Sequence, residues 1–107
     1  MNYLKRRGHT EIIAAVLVHL ANYPKKNKIT AIMAGANINH EDVMRVTGAL
    51  LEAKLIKVRG GGHYERRFYE ITAEGVQWLA KFRKGLKMLN LDFNKTVGVI
   101  LDGQQWI

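Results

Sequence analysis

Apolar residues recur at the helical period between Glu11 and Asn22, where Ile12, Ile13, Val16, Leu17 and Leu20 fall on one side of a helix. Thr10 stands at the N-cap position for that helix. The stretch Tyr23-Pro24-Lys25-Lys26-Asn27-Lys28 holds the only proline and three lysines, so it reads as an exposed connection that ends the helix. Thr30 then caps a short helix running through Ala34, and Gly35-Ala36-Asn37 supplies residues that tolerate the backbone conformations needed to end it. Asn39 caps the next helix almost at once. That helix, about Glu41 to Lys54, puts Val43, Val46, Leu50 and Ala53 on one stripe and Glu41, Arg45, Gly48 and Glu52 on the opposite face. Two helices joined by a tight turn predict a helix-turn-helix.

The pattern then changes. Leu55-Ile56-Lys57-Val58-Arg59 and Tyr64-Glu65-Arg66-Arg67-Phe68-Tyr69-Glu70-Ile71 are β-rich runs on either side of Gly60-Gly61-Gly62-His63, which predicts a hairpin. Ile56 and Val58 alternate with Lys57 and Arg59, while Tyr69 and Ile71 should point into the core. Thr72 with Glu74 opens a long terminal helix that reaches about Asn90 and carries Val76, Leu79, Phe82, Leu86 and Leu89. Leu91 to Ile107 contains Phe93, an apolar run from Val97 to Leu101 and Trp106, and no element is assigned there. The predicted fold is α+β, a winged helix-turn-helix of three helices and a β-hairpin wing with a long C-terminal helix. Its parts are a basic arm over 1–9, the winged domain over 10–72, the terminal helix over 73–90 and an apolar tail over 91–107.

At 107 residues, with 48% hydrophobic and 24% charged residues, the chain has the size and core of one globular domain. It has no cysteine, which excludes disulfides, a thiol nucleophile and cysteine-ligated zinc. No apolar run approaches the length of a membrane span and no signal-like region follows the first residues, so a cytoplasmic, nucleoid-associated protein is expected. Lysine and arginine number 17 against 9 acids, for a formal charge of +8, and that imbalance favours a polyanionic partner.

The basic and polar residues gather at three places. A major groove admits a helix and meets the first residues of it, so Asn39, His40, Glu41, Met44 and Arg45 are the candidates for contact with base edges. Arg45 suits guanine or a phosphate, whereas Glu41 and Asp42 also have a plain role in the first turn, where the helix dipole favours carboxylates. Gly48 is unfavourable by roughly 1 kcal/mol relative to alanine inside a helix, so its presence points to either a close backbone approach or neutral variation. The wing offers Lys57, Arg59, His63, Arg66 and Arg67 for phosphates or a narrow minor groove, or as charges that keep a hairpin edge from aggregating. Lys5, Arg6 and Arg7 form a basic arm. Leu79, Phe82, Leu86, Leu89 and Phe93 follow a three-four spacing that suits a seam between two subunits, or packing on their own domain.

The stretch Ala31-Ile32-Met33-Ala34-Gly35-Ala36-Asn37-Ile38-Asn39, the strand start Leu55-Ile56, and Tyr69-Glu70-Ile71-Thr72-Ala73-Glu74-Gly75 resemble the small archaeal winged-helix proteins of the 10a type. The resemblance covers roughly Thr10 to Leu89. It implies a homodimer that binds double-stranded DNA and pairs its last helices in an antiparallel coiled coil. The tail after Asn90 departs from that pattern.

The four histidines, at 9, 19, 40 and 63, lie on different elements without a partnered carboxylate spacing, and no nucleophile motif or phosphate loop is present. The expectation is a DNA-binding protein without catalytic residues, metal or cofactor, acting as a dimeric transcriptional regulator. An abundant chromatin-type protein and a winged-helix scaffold for protein interaction are the alternatives; RNA binding ranks below them, since aromatic strand motifs for stacking bases are lacking.

Overall fold

The structure, a computed structural model, describes residues 8–24, 27–60 and 67–98. Lys5, Arg6, Arg7, His63 and Arg66 lie outside the described residues. Five helices and one antiparallel hairpin follow one another as α1 (His9–Asn22), α2 (Ile29–Ala36), α3 (His40–Glu52), β1 (Ile56–Arg59), β2 (Phe68–Ile71), α4 (Ala73–Met88) and α5 (Phe93–Val97) among those residues. The strands pair with Ile56 opposite Ile71, Lys57 opposite Glu70, Val58 opposite Tyr69 and Arg59 opposite Phe68.

α1 is the centre of the core. Ala14 through Val18 and Leu20 are all buried, because α2 and α3 pack on it together with α4, α5 and β2. The sequence predicted one apolar face there, and enclosure from several sides buries consecutive positions instead. α1 also starts earlier than expected. Its N-cap is Gly8, without a side-chain cap, and Thr10 lies inside the helix. Thr30 likewise lies inside α2, whose N-cap is Lys28 and whose last residue is Ala36 instead of Ala34. The turn after α2 is made by Asn37 in the left-handed region, at φ 57, a conformation that asparagine tolerates better than most residues.

The connection before α2 is not simply exposed. Asn27 is buried, where its Oδ1 accepts a hydrogen bond from His19 Nε2 at 2.9 Å and its Nδ2 donates to the Tyr23 carbonyl. Its own carbonyl accepts from Tyr69 N at 2.9 Å, so one residue ties α1 and the loop to the wing strand. Burial pushes His19 below its ordinary pKa of 6.5, against the opposing effect of the Asn27 hydrogen bond.

Two predicted caps hold α3 and α4 in place. The Asn39 side chain accepts from Asp42 N at 2.8 Å, and the Thr72 hydroxyl accepts from Gly75 N at 3.1 Å while donating to the Lys54 carbonyl at 2.8 Å. Gly75 has a steric reason: a Cβ there would lie 2.3 Å from the Leu55 carbonyl oxygen. The start of α4 is thereby pressed onto the turn between α3 and β1. α3 buries Val43, Val46, Thr47 and Leu50, and the Thr47 hydroxyl is satisfied by the Val43 carbonyl at 2.7 Å. Ala53, expected on that stripe, is exposed, because the helix ends at Glu52 and not at Lys54.

In the wing, Tyr69 and Ile56 enter the core and Ile71 packs against it, but Val58 is exposed. α4 ends at Met88 with Asn90 in the left-handed region at φ 59. Asp92 then caps α5 by accepting from Lys95 N at 3.0 Å, and Val97 is fully buried. Part of the stretch left unassigned by the sequence is therefore a working piece of the core.

Candidate nucleic-acid interface

α3 is held by its buried stripe so that the opposite side faces outward. His40, Glu41, Met44, Arg45, Gly48, Ala49 and Glu52 are exposed on that side, together with the capping residue Asn39. The capping bond commits the Asn39 side-chain oxygen to Asp42 N and leaves its amide hydrogens as the groups that remain to donate outward.

Arg45 is held at two points. One guanidinium nitrogen lies 2.9 Å from Asp42 Oδ1, one turn earlier on α3, and the other lies 2.8 Å from Nδ1 of His9, at the start of α1. A guanidinium only donates, so His9 Nδ1 is the unprotonated acceptor. These contacts fix a long side chain that would otherwise lose rotamer freedom on binding. Half of the Arg45 side chain is still exposed, at 50%. The His9 contact was invisible in the sequence, where the two residues lie 36 positions apart.

On the wing, Lys57 and Arg59 both turn to Glu70 on the facing strand, at 3.7 Å and 2.8 Å. The register explains this: Glu70 is directly opposite Lys57, and Arg59 is its diagonal neighbour on the same face. Both cations remain more than half exposed, and Arg67, just before β2, is exposed as well. Lys28 reaches the same sheet, its ammonium 5.7 Å from the Phe68 ring centre. Glu70 is the residue that sequence reasoning passed over. Alternation places Lys57, Arg59 and Glu70 on the face away from Tyr69 and Ile56, but only the register shows that they meet.

The expected subunit seam is divided by the fold. Leu79 and Leu86 are buried in the chain's own core, and Phe82 is partly buried against it. Leu89 is 69% exposed. Phe93 belongs to α5 and meets Phe82 edge to face at 6.3 Å, because the left-handed Asn90 breaks the helix before it. Of the predicted stripe, Leu89 and part of Phe82 reach the surface; Trp78 and Gly85, half-buried and outside that stripe, lie on the same flank of α4, and Trp78 stacks on Phe82 at 5.3 Å.

A three-helix unit with an outward helix after a tight turn, followed by a hairpin with cations on one face, defines a winged helix-turn-helix. A family model described as winged helix-turn-helix matches residues 6–90, and the chain belongs to that family. Domains of this kind are in general DNA-binding domains, and that is the class of partner the fold assigns. No curated protein and no solved structure matches the chain. No helix among the described residues is long and apolar enough to cross a membrane.

Proposed function

We propose that this chain is a dimeric, site-selective DNA-binding regulator that lays the first turns of α3 in the major groove and sets the wing on the adjacent backbone or minor groove. The observation that carries the reading is the outer face of α3, where Asn39, His40, Glu41, Met44 and Arg45 come together while the opposite stripe is locked in the core. This face carries Glu41, Asp42 and Glu52 beside one arginine, a mixture ill suited to phosphate binding alone. Carboxylates and a fixed guanidinium suit base edges better, since the first accept from cytosine N4 and the second donates to guanine O6 and N7. Lys57, Arg59, Arg67 and, outside the described residues, His63, Arg66, Lys5, Arg6 and Arg7 supply the backbone contacts.

The resemblance to the small archaeal 10a proteins supports the same reading and its dimer. With Leu79 and Leu86 used inside the protomer, the dimer forms through the flank of α4 that holds Trp78, Phe82, Gly85 and Leu89. Sedimentation of the wild type and of Leu89→Glu checks this: the variant should be monomeric at concentrations where the wild type is a dimer, and two monomeric proteins would remove the dimer from the account.

The functional test is a titration of the purified protein against a random duplex and an upstream genomic duplex at several salt concentrations, with Arg45→Ala alongside. A preference for one duplex that falls by about tenfold or more in Arg45→Ala supports a regulator. Equal affinities with a steep salt slope would replace it with a chromatin-type role. Failure to bind at low salt would leave a protein-interaction scaffold.

A further inference from the structure

Among the described residues, a groove of about 860 Å³ lies between α4 and the turn that leads into α5. Its apolar wall comes from Val76, Ala80, Leu91 and Phe93, and its cations from Arg83, Lys84 and Lys87. Val76, Ala80, Lys84 and Lys87 follow the helical period, so they share one flank of α4, turned away from the flank of Trp78, Gly85 and Leu89. Val76 is 40% exposed and Leu91 48%, so this is apolar surface that the described core does not cover. The Arg83 guanidinium lies 5.8 Å from the centre of the Phe93 ring, which places positive charge beside the aromatic wall. No acidic residue among the described residues lines the groove.

We propose that this groove binds a small amphipathic anion, with a carboxylate head at Lys84 and Lys87 and an apolar body laid along Val76, Ala80, Leu91 and Phe93. The volume is in the range of pockets that hold small organic ligands, and the lining divides evenly between apolar residues and polar ones, Arg83, Lys84, Lys87 and Asn90, as an amphipathic ligand requires. Charge decides against a second copy as the occupant, because a two-fold pairing of this flank would set Arg83, Lys84 and Lys87 against their own equivalents. A duplex would satisfy the cations but has no apolar body for the wall. The groove lies on α4, which rests on α1, β2 and α5, so the inference does not depend on the α3 face being a DNA site.

Decanoate, below its micelle concentration, is the probe, with decanol and decyltrimethylammonium as the uncharged and cationic controls. Calorimetry and methyl spectra of the full chain should show one saturable site per chain for decanoate, with shifts centred on Val76, Ala80 and Leu91. Lys84→Glu/Lys87→Glu should weaken it by about tenfold or more. Ala80→Trp, which fills the groove from an exposed position, should abolish it while the circular dichroism spectrum is kept. Absence of saturable binding, equal binding of either control, or shifts elsewhere would overturn the proposal. So would self-association that Ala80→Trp removes, equally tight binding of phosphatidylglycerol vesicles, or a duplex that produces the same methyl shifts; these would assign the groove to a second copy, a membrane surface or DNA.

Discussion

Gly48 sits mid-helix on the outer face of α3, and a Cβ built there would meet no atom within 4 Å. A glycine in a helix interior is less stable than alanine by about 1 kcal/mol, and nothing inside the described chain requires it. The open surface fits the close approach of another molecule to the helix backbone. Gly48→Ala is therefore expected to raise the unfolding free energy by about 0.5–1 kcal/mol in urea while weakening duplex binding. Greater stability with unchanged DNA affinity would make this glycine neutral variation.

His19 yields a second prediction at the same scale. Burial holds its folded pKa below the ordinary 6.5, so between that lower value and 6.5 the unfolded chain binds more protons than the folded one. The neutral ring's contribution is then complete above pH 6.5 and is lost as pH falls through the window beneath it. Thermal unfolding of the wild type should fall from pH 7 to pH 5 more steeply than that of His19→Gln, whose amide keeps a donor for Asn27. Parallel curves would show that His19 does not titrate with folding.

Among the elements, two of the four expected caps were legible and the pairings were not. Asn39 and Thr72 stand just before helical runs and do cap them, whereas Thr10 and Thr30 have the same chemistry but fall inside helices that start from extended Gly8 and Lys28. A cap signal says that a helix can start at a residue, and packing against neighbours decides where it does. α5 spans five residues, too few to display a period, and Val97 is buried where α5 packs on α1 and α4. The Glu70 contacts needed the strand register. That residue keeps two wing cations partly neutralised, so Glu70→Gln should tighten binding to a random duplex several-fold at low salt. It should also steepen the salt slope by up to about 0.9 per cation that gains a phosphate. An unaltered slope in fluorescence anisotropy would mean that Lys57 and Arg59 do not reach DNA.

Over the whole molecule, a charge of +8 pointed to a polyanion, and among the described residues cations stand on α3, on the wing and along one flank of α4. Periodicity was sufficient to predict α1, α3 and the long terminal helix, whose apolar stripes are long enough to repeat, while α2 was read from its cap and turn residues and the hairpin from β-rich runs around glycines. It could not show that α1 is enclosed from several sides, or that Leu79 and Leu86 serve the chain's own core, since an apolar stripe reads the same whether a subunit or a domain covers it. Nor could it place His9 against Arg45. The outer face of α3 was legible residue by residue; the groups that hold its arginine depend on the tertiary packing.

The central claim is that Arg45 and its neighbours on α3 enter the major groove. Dimethyl sulfate probing of a bound duplex tests it most directly, since guanine N7 lies in the major groove and adenine N3 in the minor. The account predicts that the wild type protects a small set of guanine N7 positions and that Arg45→Ala, at saturating protein, leaves them open. Protection confined to adenine N3, or guanine protection that survives Arg45→Ala and a Met44→Ala/Arg45→Ala double variant, would contradict it.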